Sequence, residues 1–256
     1  MERQGVLYIS HGSRVPEATK EAMECIQLAM KKIDIPLQEI VYIEISKPSI
    51  EEGIELLVSQ GALRIAVVPV LLLSAGHYYK DIPYELEKAK ERFPNIYFCL
   101  GKPIGVQDQL IDILAERIHE KQTTVSPDIR ILLVGRGSRN DETRRDIESI
   151  ADKLKRKLQV QSIDTGYLAA LEPRFEQALH KLLSETNSPV IVVPYLWFTG
   201  ILMQSMQKKI DSLNSDGKEV ILCRQIGNHP AIVAALINRV METAEFNVNE
   251  YFYQGV

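Results

Sequence analysis

The sequence predicts an α/β protein made of two tandem copies of one unit, each a four-stranded parallel sheet with helices on both faces. Three observations predict it. Short apolar runs alternate with segments of helical spacing along the 256 residues, the pattern of strands joined by crossover helices. The runs are too uniformly apolar to leave one face in water, which favours a parallel sheet covered on both sides. A constant offset of 125 then lays one half of the chain on the other, the mark of an internal repeat.

The elements follow in order. "GVLYIS" is a strand, and Ala18, Ala22, Cys25, Ile26, Ala29, Met30 and Ile33 then recur at helical spacing. "EIVYIEI" (39–45) reads as the second strand, and Pro48 suits the first turn of the next helix, which ends near Gly61. "RIAVVPVLLL" (64–73) is the third strand, 81–93 a helix, 95–100 a short fourth strand, and a last helix covers about 106–120. The polar stretch "EKQTTVSPD" (120–128) separates the copies. The expected division is a first domain over 1–120, a linker over 121–128 and a second domain over 129–256.

The repeat is carried by four segments in the same order. "LYISHGSR" (7–14) falls on "LLVGRGSR" (132–139), Pro48 on Pro173, and "IAVVPVLLLS" (65–74) on "VIVVPYLWFT" (190–199). Near each end the offset slips to 122, where "IGVQDQLI" (104–111) meets "IGNHPAIV" (226–233).

Composition narrows the function. Apolar content of 45% and charged content of 25% are ordinary for a globular protein. A formal net charge of −4 disfavours nucleic acid as a partner. No apolar run is long enough to span a bilayer or reads as a signal peptide, so the expectation is a cytoplasmic protein off the membrane. Cys25, Cys99 and Cys223 are scattered and show no metal-ligand spacing, so they read as buried free thiols.

Where two copies share a scaffold, polar differences at strand ends carry information, because open parallel sheets bind ligands at the carboxyl ends of their strands. Strand one delivers His11 there, against Arg136 in the other copy. Strand two delivers Glu44 against Ala169, and the segment after strand three delivers His77 against Leu202. If strand one is central, its neighbours lie about 4.8 Å away on either side, and the three groups can converge. Two imidazoles and a carboxylate form a ligand set for divalent transition metals. The imidazoles can equally act as bases near neutral pH. His119, His180 and His229 fall on helices or at a helix start and read as structural.

At these residues the chain resembles a known family. "SHGSR", "IEISKPSI" and "VPVLLLSAGHYYKDIP" are similar to motifs of the class II chelatases of sirohydrochlorin, in particular the long, two-copy sirohydrochlorin ferrochelatases of bacilli. The resemblance covers about residues 1–244. It implies a lyase of sirohaem biosynthesis that inserts Fe²⁺ into sirohydrochlorin with release of two protons. Relatives that insert Co²⁺ on the anaerobic cobalamin route supply the alternative. It carries the metal-site histidines onto His11 and His77 and the acidic residue onto Glu44, as both metal ligands and catalytic groups. The ion is substrate, and no tightly bound cofactor is implied.

Sirohydrochlorin carries eight carboxylates. Arg14, Lys47, Lys80, Arg136 and Arg139 are the candidates to hold them by charge-assisted hydrogen bonds. Ser10, Ser13, Gly76, Tyr78 and Tyr79 would shape the pocket, with the second copy as a wall of the cleft. Two other readings stand beside this one. A histidine phosphatase needs Arg immediately before its nucleophilic His, and Ser10 stands there. A non-catalytic tetrapyrrole or metal carrier would use the same residues. Two fused copies can form within one chain the cleft that a one-copy protein builds as a dimer, so a monomer is expected.

Overall fold

The computed structural model describes residues 3–74, 76–186 and 188–245. The first repeat runs β1 (Gln4–Ser10), α1 (Pro16–Met30), β2 (Leu37–Tyr42), α2 (Ile50–Ser59), β3 (Arg64–Pro69), a π-helical turn (His77–Asp81), α3 (Ile82–Arg92), β4 (Tyr97–Leu100) and α4 (Asp108–His119). The second runs β5 (Arg130–Gly135), α5 (Asp141–Leu158), β6 (Ile163–Tyr167), α6 (Phe175–Glu185), β7 (Val190–Tyr195), α7 (Ile201–Ser215), β8 (Val220–Leu222) and α8 (Pro230–Glu245). Each repeat forms one parallel four-stranded sheet, in the orders β2-β1-β3-β4 and β6-β5-β7-β8. Strand one of each repeat is therefore internal, as the convergence argument requires.

The alternation of buried side chains assigns the layers. On β1, Leu7 and Ile9 point into a core formed with α2 and α3 through Ile50, Ile54, Leu57, Ile82 and Leu86. Val6 and Tyr8 point the other way, into a core shared with the second repeat. On β5, Leu132 and Val134 face α6 and α7, while Ile131 and Leu133 face the shared core. Two sheets thus enclose a middle layer of four helices, α1, α4, α5 and α8, and each sheet carries two further helices outside.

Within that middle layer the terminal helices are exchanged. α4 packs on α5 and β7 of the second repeat, and α8 packs on α1 and β3 of the first. Two related arginines fix the exchange. Arg117 on α4 donates from Nε to the Gln225 carbonyl (3.1 Å) and from Nη2 to the Ile226 carbonyl (2.8 Å). Arg239 on α8 donates in the same way to Pro103 (2.8 Å) and Ile104 (2.7 Å). Each also pairs with a glutamate three residues on, Glu120 and Glu242. Gly101 makes room for the incoming helix: a Cβ there would lie 2.2 Å from Thr243 Oγ1 on α8. The division of the sequence at 121–128 therefore separates repeats, whereas the packing joins them in one core.

Three strand and helix ends differ from the sequence expectation. β2 stops at Tyr42 rather than 45, because the chain turns sharply over Glu44–Ser46. α2 begins at Ile50 behind Ser49, whose side chain and that of Glu52 form a reciprocal N-terminal cap. Pro48 thus precedes the helix rather than sitting in its first turn. β3 ends at Pro69 rather than 73: Val70 N–H makes a last bond to Ile9 (2.8 Å), and β1 offers no partner beyond. The Leu71 and Leu72 carbonyls instead accept from Ile104 and Gly105 (2.9 and 2.7 Å). No helix among the described residues is long and apolar enough to cross a membrane.

Candidate functional site

The carboxyl ends of β1 and β3 face the corresponding ends of the second sheet across a cavity of about 490 Å³, within the size range of small-molecule sites. The first repeat contributes Ser10 to Arg14, Ile45, Val70 to Ser74 and His77; the second contributes Arg136 to Ser138 and Tyr195 to Met203. Leu71 to Leu73 and Leu196 to Phe198 make the walls apolar, and the rings of Trp197 and Phe198 stack with centroids 5.1 Å apart. Among the described residues, the cavity lining contains Arg14, Arg136, His11 and His77 but neither aspartate nor glutamate. A net acidic chain thus encloses a carboxylate-free cavity, suited to an anionic ligand with a large apolar body.

The turn after β1 is built from its glycine. Gly12 has φ +85°, and a Cβ on it would lie 2.1 Å from the Glu44 carbonyl oxygen. Gly137 repeats this at φ +82° against Ala169. Ser13 Oγ accepts from Val15 N–H (3.1 Å) and Ser138 Oγ from Asn140 N–H (3.2 Å). The turn is common scaffold, and only its first side chain differs: His11 in one copy and Arg136 in the other.

His11 and His77 come together. Their ring centroids are 4.8 Å apart in an edge-on arrangement. His11 Nδ1 lies 3.1 Å from the Gly12 carbonyl, and His77 Nδ1 lies 2.6 Å from Asp81 Oδ2. Both partners are acceptors, so Nδ1 is the nitrogen that donates in each ring and Nε2 is the one left for a ligand. Such a partner fixes the ring and makes its far nitrogen a better ligand. The π-helical turn sets up the second pair: Ile82 N–H bonds the His77 carbonyl, and Asp81 closes on His77 one turn later.

Glu44 does not join them. Its backbone is held beside His11 by a bond from Glu44 N–H to the His11 carbonyl (3.2 Å), but its side chain is exposed and outside the cavity lining. The sequence reading placed it on a strand; it stands on the turn that ends the strand, where the inward–outward alternation no longer holds. Among the described residues, no three of His, Cys, Asp and Glu gather as a metal-ligand set.

The other candidates divide. Ser10, Ser13, Arg14 and Arg136 line the cavity, while Gly76, Tyr78, Tyr79, Lys80, Arg139 and Lys47 do not. Lys47 pairs with Glu52 on the surface (3.1 Å). Tyr79 donates from its hydroxyl to Glu142 Oε2 (2.5 Å) and so ties the π-helical turn to α5; that bond raises its pKa. Tyr78 meets the Tyr79 ring edge-on, centroids 5.1 Å apart. Lys80 and Arg139 are exposed beside the site.

The remaining histidines and cysteines stay apart from it. His229 pairs with Glu116 across the exchanged helices (2.9 Å), and neither His119 nor His180 lines the cavity. Burial pushes the thiols of Cys25 and Cys223 up to about 12 and raises that of Cys99. None of the three lines the cavity that holds the histidine pair.

Sequence reasoning missed Asp81 and the Trp197–Phe198 wall. An aspartate four residues after His77 was a usable signal, since i and i+4 share a helical face. The aromatic pair stands where the first copy has Leu72–Leu73, an apolar-for-apolar exchange that leaves no polar signal.

Comparison with known proteins bears on the family and the fold. Residues 5–121 and 130–243 each match the CbiX family. Sirohydrochlorin ferrochelatase of Priestia megaterium is 40% identical over 246 residues, 96% of this chain and 92% of that one. SirB from Bacillus subtilis with Fe³⁺ superposes with a TM-score of 0.86 at 36% identity, covering 95% of this chain and 96% of that one. The sirohydrochlorin chelatase SirB from B. subtilis subspecies spizizenii, in complex with cobalt, gives a TM-score of 0.82 at 37% identity with the same coverage.

Proposed function

The chain belongs to the CbiX family, and from that premise we propose that it is a sirohydrochlorin ferrochelatase, inserting Fe²⁺ into sirohydrochlorin to give sirohaem. The observation that carries the reading is the His11–His77 pair, each ring held through its Nδ1, on the wall of a cavity between the repeats whose described lining has no carboxylate. The relatives that support it span the full length, and two of them hold iron or cobalt.

The reaction needs no redox partner. Fe²⁺ enters the macrocycle, two pyrrole N–H bonds break, and two protons leave. An imidazole that surrenders the ion can take a proton in its place, because both events use the same lone pair. His11 and His77 serve as ligands and bases in this reading. Glu44, at the surface beside His11, meets the incoming ion and passes protons to solvent. Ligation by two neutral imidazoles without a thiolate suits an ion that has to be handed on.

The second repeat carries no metal chemistry in this reading and forms a wall of the substrate cleft. Arg14 and Arg136 hold substrate carboxylates at the rim, with Lys80 and Arg139 beside them. Ser10 and Ser13 line the floor, and Gly76, Tyr78 and Tyr79 belong to the segment that carries His77. The protein works as a monomer in the cytoplasm, with the ion and the tetrapyrrole as its partners.

Insertion followed by absorbance, against an enzyme-free control, tests the proposal. Wild-type protein should accelerate Fe²⁺ insertion, and His11→Ala with His77→Ala should return it to the control rate. Undiminished activity in that double variant would overturn the assignment. The cobalt-bound relative motivates a parallel arm with Co²⁺, whose preferred insertion would make the chain a cobaltochelatase instead. Saturable binding of sirohydrochlorin without any gain in rate would make it a carrier.

A further inference from the structure

Ile45 is placed where an isoleucine is least favoured. Its φ is +69°, in the left-handed region, where a β-branched side chain is an outlier. Ser46 N–H bonds the Glu44 carbonyl at 2.7 Å, so Ile45 is the central residue of a γ-turn with positive φ, a rare and strained form. Its side chain is also 55% exposed. Glycine or asparagine would relieve the backbone, and a polar residue would suit the solvent.

The other repeat shows that the turn itself is scaffold. Leu171 N–H bonds the Ala169 carbonyl at 2.7 Å, and Ala170 at the centre has φ +59°. Both turns brace the glycine turn after the first strand, through the Glu44 and Ala169 carbonyls packed on Gly12 and Gly137. Alanine, which is not β-branched, fills the position where the turn is outside the cavity lining. Isoleucine fills it where the turn lines the cavity next to His11. Both copies keep a non-glycine residue at positive φ, but the further strain of a β-branched side chain is kept in one copy alone, at the site, and belongs with function rather than folding.

We propose that Ile45 is a substrate-contact residue, an apolar rest at the cavity mouth on which the flat face of the tetrapyrrole settles and which sets the ring's position over His11 and His77. This rests on the chelatase reading. The second repeat supplies a matching element: Ile201, the first residue of α7, lines the same cavity and is 57% exposed. Both isoleucines lose their exposure to solvent when an apolar ring covers the mouth, and that gain offsets the strain kept in the free protein.

The test uses the full chain in three measurements: thermal unfolding without ligand, titration with sirohydrochlorin without metal, and titration with Co²⁺ alone. Ile45→Gly should melt about 2–4 °C above wild type. Its Kd for sirohydrochlorin should rise about tenfold, while its Co²⁺ affinity stays within about twofold of wild type. Ile45→Ala should also bind sirohydrochlorin more weakly, and Ile45→Val should retain most of the affinity. Wild-type sirohydrochlorin affinity in both Ile45→Ala and Ile45→Gly would overturn the inference and leave the chelatase reading standing. No saturable sirohydrochlorin binding by the wild type would overturn both.

Discussion

The two repeats share a backbone down to their turns, yet only one holds a pair of imidazoles. At the end of β1 stands His11, at the end of β5 Arg136, and the glycine, serine and arginine that follow are the same. After β3 comes His77 with its partner Asp81; the corresponding place on α7 is Leu202. The second repeat carries Trp197 and Phe198 where the first carries two leucines. The difference teaches that a duplicated sheet edge can divide its labour. One edge brings two imidazoles to the cavity, and the other brings Trp197, Phe198 and Arg136.

The strongest way to break the comparison is to make the first copy resemble the second. His11→Arg places in repeat one the residue that repeat two already tolerates, so the fold should survive while insertion falls to the enzyme-free rate. Insertion assays alongside thermal melts would show both. Asp81→Asn comes next. It leaves His77 in place but removes the carboxylate that fixes its ring, and a lost partner of this kind costs about 10–100-fold in metal affinity or activity. Titration with Co²⁺ measures this directly; an unchanged Kd would mean that Asp81 is only a surface ion pair.

The reverse exchange has a smaller effect. Arg136→His removes a cation from the rim, and without a counterpart to His77 it builds no second metal centre. KM for sirohydrochlorin should rise about tenfold, the loss of one charge-assisted hydrogen bond, with kcat little changed. The smallest effect concerns the pairing of the repeats. Glu120 accepts from Arg224 and Arg117, which lower its pKa from 4.5 to about 2. The stabilisation is therefore complete above pH 4.5 and is lost as the pH falls towards 2. Glu120→Gln should cost about 1 kcal/mol at neutral pH and flatten the acid limb of a stability-against-pH curve over that window.

Much of this was legible in the residues. The parallel sheets followed from apolar runs separated by helical spacing, and the duplication from a constant offset. His11 and His77 stood out because the other copy lacks them. The ends of β2 and β3 were not legible, since apolar residues that line a cavity look like residues that complete a strand. For that reason the residue pattern puts Glu44 on a strand and Leu71 to Leu73 in the sheet. The exchange of α4 and α8 was hidden for a different reason. An amphipathic helix declares that one face is buried but not which sheet buries it. The slip in offset to 122 does align Arg117 with Arg239, although only the structure shows both reaching across.

The exchanged helices make each repeat unfinished by itself. The first sheet has one face covered by α8 of the second repeat, and the second sheet has a face covered by α4 of the first. Neither repeat is then a cooperative unit, and denaturation of the chain should proceed as a single transition rather than two. A nick within 121–128 would leave two fragments, each missing a wall that only the other can supply. They should remain associated and regain the cleft on mixing, because what closes the cavity is the clasp between the copies and not the peptide that joins them.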